Sequence, residues 1–136
     1  MADTTGFTNL VAGDIVSSMS EAFIISFTAE ASISKGDPVY LTSNNKVSPA
    51  TAEQSCIGIA LHDADPDDPV AVCVSDGIVK VIAGEAISVG SKVKAADTSK
   101  RVLTWVSGTD SPDLILGTAL TAAEAADDLI LILVGR

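Results

Sequence analysis

Apolar residues along the chain fall into short runs of no more than six positions, broken by Gly, Asp, Asn, Ser and other polar residues. That spacing is the signature of strands joined by tight turns rather than of amphipathic helices. One such unit occurs twice. The first copy reads Ile57-Gly58-Ile59-Ala60-Leu61, an acidic turn ending in Asp67-Asp68, then Val70-Ala71-Val72-Cys73-Val74. The second reads Leu116-Gly117-Thr118-Ala119-Leu120, a turn ending in Asp127-Asp128, then Ile130-Leu131-Ile132-Leu133-Val134. Gly58 matches Gly117 at an offset of 59 and Asp68 matches Asp128 at 60, so one gap in the turn aligns both flanks. A duplicated unit means two structural halves.

The repeat extends toward the N-terminus. Ile33-Ser34-Lys35-Gly36-Asp37 aligns with Ile87-Ser88-Val89-Gly90-Ser91 at an offset of 54, each a Gly turn feeding a strand. Ser43-Asn44-Asn45-Lys46 and Asp97–Lys100 follow as matching hairpin turns. Each half thus predicts about four strands, with the repeat spanning approximately 33–75 and 87–135. Ser75-Asp76-Gly77, between Val70–Val74 and Ile78–Ile82, reads as a hairpin turn. Thr121–Asp128 is the one helix candidate, with an Ala-rich centre and a capping box formed by Thr121 and Glu124. Leu129–Val134 is apolar on both faces, so it calls for cover on both sides, from a closed barrel or sandwich or from a neighbouring subunit. The fold class expected is all-β: a compact β-barrel or β-sandwich of two similar halves, with at most one short helix and an extended N-terminal arm. Residues 1–20 form that arm, and residues 21–136 a single β domain.

Within the arm, Phe7, Leu10, Val11 and Ile15 are apolar anchors along a polar tether, a pattern suited to ordering on a partner. Glu21–Ala29 is β-branched and aromatic and reads as a strand, with Phe23, Ile25 and Phe27 on one face and Ile24 on the other. The candidate partner-binding residues are Phe7, Leu10, Val11, Ile15, Phe23 and Ile24.

Aromatics make up only 4% of the 136 residues, so Val, Ile, Leu and Ala must build the core. The net charge of −10 makes nucleic acid a poor partner, because phosphate binding needs a basic surface. Residues 1–34 hold no Lys or Arg, which argues against a secretory leader. Six residues, Leu129–Val134, are too few to cross a bilayer as a helix. The expectation is a soluble chain made in a cytoplasm, with no membrane partner and with Cys56 and Cys73 as small apolar strand residues.

Catalytic apparatus is sparse. His62 is the single histidine, and about 20 Å of strand, at roughly 3.3 Å per residue, would separate it from Cys56, too far for a nucleophile and its base. Asp63, Asp65 and Asp67 have the first three spacings of a calcium loop, but Asp68 stands where Gly is needed and Val74 where a bidentate Glu is needed. No phosphate-binding Gly loop, nucleophile elbow or zinc spacing occurs. The expectation is no enzyme, no metal site and no cofactor.

Ile87-Ser88-Val89-Gly90-Ser91-Lys92-Val93, then Lys100-Arg101-Val102, then Leu116-Gly117-Thr118-Ala119-Leu120-Thr121-Ala122-Ala123 and the apolar terminal strand resemble the capsid decoration (cement, head-stabilising) proteins of tailed bacteriophages. The likeness covers roughly residues 30–136, including Val72–Lys80 in the first half. It implies a β-rich structural protein on the outer surface of a phage capsid, bridging neighbouring major capsid protein subunits, commonly as a homotrimer, with no catalytic residue. Its location would be the virion, after synthesis in the host cytoplasm. The alternative is another virion or surface β-module, a tail or adhesion component. The arm is longer than the family's short lead.

Overall fold

The structure is a computed structural model, and it describes residues 12–15, 22–52, 54–96 and 100–135. Ten strands form: β1 (Phe23–Ala29), β2 (Pro38–Ser43), β3 (Lys46–Pro49), β4 (Gly58–Ala60), β5 (Pro69–Ser75), β6 (Ile78–Ala83), β7 (Lys92–Ala95), β8 (Arg101–Thr104), β9 (Gly117–Ala119) and β10 (Leu129–Val134). They close into two five-stranded barrels, β1-β3-β2-β4-β5 and β10-β6-β8-β7-β9. The two have the same topology: β1 corresponds to β6, β2 to β7, β3 to β8, β4 to β9 and β5 to β10. In each, one parallel pair (β1 with β3, β6 with β8) completes an otherwise antiparallel ring.

A five-stranded barrel has a narrow lumen, and small branched side chains fill it. The first barrel's core is Ala29, Ile33, Val39, Val47, Ala60, Ala64, Val70 and Val72. The repeat places Ala83, Ile87, Val93, Val102, Ala119, Ala123, Ile130 and Ile132 at the same positions, and all eight are buried in the second core. This explains how a chain with so few aromatics packs. Cys56, Ile59 and Cys73 join the second core, so the two barrels share apolar packing where they meet.

The shared Asp-Asp pair serves the turn between the last two strands of each barrel. Asp67 and Asp127 adopt φ of 72° and 73°, a left-handed conformation that Asp tolerates better than most residues. Their N–H groups donate to Ala29 and Ala83 at 2.8 and 2.7 Å. Their carboxylates meet Lys46 at 3.9 Å and Arg101 at 2.8 Å, an ion pair repeated in both halves.

Three expectations are corrected. Each half has five strands rather than four, because β1, which lies outside the sequence repeat, is its first strand and is matched by β6. Ser75-Asp76-Gly77 is a turn, with Asp76 at φ 60°, but not a hairpin. β5 pairs with β1 and β4, β6 pairs with β10 and β8, and the turn passes the chain from one barrel to the other. Thr121–Asp128 forms no helix. Ala123 is tied to Ile87 by two backbone hydrogen bonds of 2.9 Å, and the Asp128 carboxylate accepts the N–H groups of Glu124 and Ala125, so tertiary pairing overrides the local Ala propensity. The one helical turn among the described residues is the 3₁₀ segment Pro112–Leu114.

Candidate interaction surfaces

Residues 12–15 of the arm join the two barrels. The Gly13 N–H donates to the Lys80 carbonyl at 2.7 Å, the Lys80 N–H donates to the Asp14 carbonyl at 2.9 Å, and Ile15 bridges Val79. The segment therefore acts as a short extra strand on β6. Its other side rests on the first barrel, where Ala12 is buried near Gly36 and Asp14 pairs with Lys35. A Cβ on Gly13 would stand 2.5 Å from the Gly36 nitrogen, so only glycine allows this approach. Of the sequence candidates, Ile15 is half-buried against the second core, Phe23 is 57% exposed, and Ile24 is half-buried. The register shifts between Phe23 and Ile24, where Val74 of β5 is left without a partner on β1. Phe7, Leu10 and Val11 lie outside the described residues.

A group of exposed leucines lies outside the candidate residues. On β10, Ile130, Ile132 and Val134 fill the barrel, while Leu129, Leu131 and Leu133 point outward. Leu129 and Leu133 are 44% and 41% exposed, and Leu120 beside them is 40%. Across the ladder, Ile82 and Ile78 of β6 lie opposite Leu129 and Leu133, with the largely buried Lys80 between them opposite Leu131. In the first barrel the three β10 leucine positions are Pro69, Ala71 and the buried Cys73. The outer leucine face thus belongs to one barrel only. The signal was present in the two-sided apolar run Leu129–Val134, and the barrel satisfies just one of its sides.

A cavity of about 350 Å³ opens where the barrels meet. Matched positions of the two halves line it: Cys56 with Ile115, Ile57 with Leu116, Ser75 with Gly135. No residue with a charged side chain lines it, and Cys56 and Ser75 are its polar members. Among the described residues no cluster of three or more His, Cys, Asp or Glu side chains is placed to hold a metal ion, and no helix is long and apolar enough to cross a membrane. The Asp63 carboxylate instead accepts the Lys35 N–H at 2.7 Å.

His62 is a strut. Its Nδ1 lies 2.9 Å from the Asp63 carbonyl and its Nε2 accepts the Ala71 N–H at 3.0 Å, which selects the neutral Nδ1–H tautomer. Thr121 does the same work in the second barrel, its hydroxyl accepting the Leu131 N–H at 3.0 Å. Both cysteines are free and buried. Burial pushes the Cys73 thiol up, hydrogen bonding with the Gly77 and Ser75 backbone partly opposes this, and the nearby Asp76 carboxylate adds to the rise. Neither thiol is expected to react with an aromatic disulfide reagent in the native protein, and two equivalents should be released in denaturant. Release at the native rate of a free thiol would refute this.

Asp110 sits in the loop after β8. The Lys94 ammonium at 2.9 Å and the Val106 N–H at 2.8 Å hold its carboxyl below the usual aspartate range. A carboxyl depressed in the folded state stabilises the fold fully above its unfolded value, near 3.9, and that contribution is lost as pH falls through the lower folded value. The difference in urea midpoint between the native chain and Asp110→Asn should therefore be full at pH 7 and shrink below about pH 4. A pH-independent difference would show that the carboxylate charge plays no part.

The sequence model of the family described as phage cement protein matches residues 19–135. No curated protein matches the chain. Among solved structures, the N base of head fiber gp8.5 in bacteriophage phi29 is similar, with a TM-score of 0.59 and 21% identity over 84% of this chain and 96% of that one. At that identity the likeness shows a shared fold.

Proposed function

The chain belongs to the phage cement protein family, and we propose that it holds the outer capsid surface together by bridging neighbouring major capsid protein subunits as a homotrimer. Membership makes it a structural virion protein with a capsid-stabilising role. The observation that carries the bridging reading is the leucine face of β10 and β6. The barrel fills its interior with Ile130, Ile132 and Val134 and leaves Leu129 and Leu133 44% and 41% exposed on its outside, with the half-buried Leu131 between them. Contiguous exposed apolar surface of this kind marks a site of protein association. We assign this face to the capsid. Assembly on the virion would follow synthesis in the host cytoplasm.

The test adds purified chain to heads that lack it, before and after expansion. Trimers in solution that add to expanded heads and raise their resistance to heat are the expected result. Attachment to tails, or to heads without any gain in heat resistance, would favour a different virion module instead.

A further inference from the structure

The two barrels differ at one edge. In the second, β8 covers β6 only at Ile82 and Ala83, and the overhanging part of β6 is closed by Gly13–Ile15 of the arm. In the first, β3 covers β1 only at Thr28 and Ala29. No strand among the described residues closes the overhang from Ile24 to Ser26. Ser26 stands where Lys80 stands in β6, at an offset of 54. It faces Ala71 across the ladder, and Ala71 turns its N–H to His62 and its carbonyl to Leu61. This is the pattern of a pair that exchanges no hydrogen bonds, so the Ser26 N–H and C=O point outward. The side chains agree. Val79 and Val81, beneath the closed edge, are 0% exposed, whereas their counterparts Ile25 and Phe27 are only half-buried.

We propose that this edge receives an extended strand from a second copy of the chain, supplied by residues 1–11 of its arm. The proposal rests on the homotrimer reading above and names its contact. The chain itself shows which element closes the equivalent edge, namely the arm, and the residues preceding Ala12 carry Phe7, Leu10 and Val11 to cover Ile25 and Phe27. Backbone hydrogen bonds would give affinity and the alternate side chains specificity. Passed from copy to copy, such a head-to-tail contact closes into a ring when the rotation permits. Phe23 and Ile24 then belong to the contact between copies, leaving the leucine face for the capsid.

The test compares the full chain, Ser26→Pro, and a chain lacking residues 2–11. Proline there removes the outward N–H without breaking a ladder bond, and the truncation leaves Ala12–Ile15 in place. Sedimentation reads copy number, amide hydrogen exchange reads Ser26, and a synthetic peptide of residues 1–11 is the probe. The full chain should sediment as a trimer, with exchange at Ser26 slowed at least about tenfold relative to the truncated chain. Both variants should sediment as folded monomers, and the peptide should restore protection at Ser26 in the truncated chain. Should Ser26→Pro fail to fold, the truncated chain and the peptide decide alone. Oligomers that survive the truncation overturn the proposal. So does a Ser26 amide already protected in dilute monomer, or one protected only on heads. A monomeric full chain that still stabilises heads overturns this inference and leaves the capsid role standing. A trimer of the expected kind that adds to no heads does the reverse.

Discussion

Gly117→Ala is expected to cost about 3 kcal/mol or more of stability, and Gly58→Ala the same, at the upper end of what overpacking does to a core. A Cβ on Gly117 would stand 2.4 Å from the carbonyl oxygen of Leu133, and one on Gly58 would stand 2.1 Å from that of Cys73. Both obstacles are backbone, on the strand that pairs with the glycine, so no side chain can rotate out of the way. Relief would require β9 to move off β10, or β4 off β5, opening the ladder that closes each barrel. Against a total stability of roughly 5–15 kcal/mol for a typical domain, this is a large fraction. Gly90 is the control. It has φ 87° and nothing within 4 Å of a built Cβ, so alanine there meets only the left-handed penalty, about 1–2 kcal/mol. Urea midpoints should therefore fall in the order native, Gly90→Ala, then Gly58→Ala and Gly117→Ala well below. A Gly117→Ala midpoint at or above that of Gly90→Ala would contradict the geometry.

The second large effect concerns attachment. Leu129→Asp and Leu133→Asp place a charge on the outer leucine face, where the side chains are exposed in the chain alone. Substitutions at such positions typically change stability by about 0.5 kcal/mol or less. An apolar contact that becomes a buried carboxylate in a complex should weaken binding by at least about 2 kcal/mol, roughly thirtyfold. Occupancy of expanded heads, titrated with purified variant, is the measurement. Val89→Asp serves as the control, since Val89 is a lone exposed residue in a turn at 65%. Equal titration curves for native and leucine-face variants would remove this face from the capsid contact. A loss of trimer with capsid affinity retained would move it to the contact between copies.

The structure also changes how the arm can be tested. A deletion reaching residue 19 would take away Gly13–Ile15 and strip the open side of β6. The loss of a barrel edge would then be mistaken for the loss of a tether. A truncation that addresses the arm alone ends at residue 11.

Why the first strand of the repeat was hidden is clear from its residues. Phe23–Ala29 and its partner Gly77–Ala83 share only Ile24 with Ile78 and Ala29 with Ala83. A barrel strand constrains just its inward positions, and only in size, so two strands can hold the same place with little identity. The repeated Gly and Asp-Asp were easier to see because each answers a constraint that few residues meet: backbone approach at Gly58 and Gly117, positive φ at Asp67 and Asp127. The candidate binding residues from Phe7 to Ile24 lie outside the sequence repeat, whereas Leu129, Leu131 and Leu133 lie inside it and differ between its copies.

The sequence by itself determined that the protein is all-β, duplicated, acidic and built on small aliphatic residues, and that Leu129–Val134 needs cover on both faces. These are properties of period, composition and local turn chemistry, which act over a few residues. Only the tertiary structure decided that each copy closes on itself, that Ser75–Gly77 parts two barrels, that Thr121–Asp128 stays unwound, and that no described residue covers one leucine face and one strand edge. Those outcomes depend on which strand takes the last free row of hydrogen bonds, a competition between segments as distant as Gly13 and Lys80, and no local pattern records its winner.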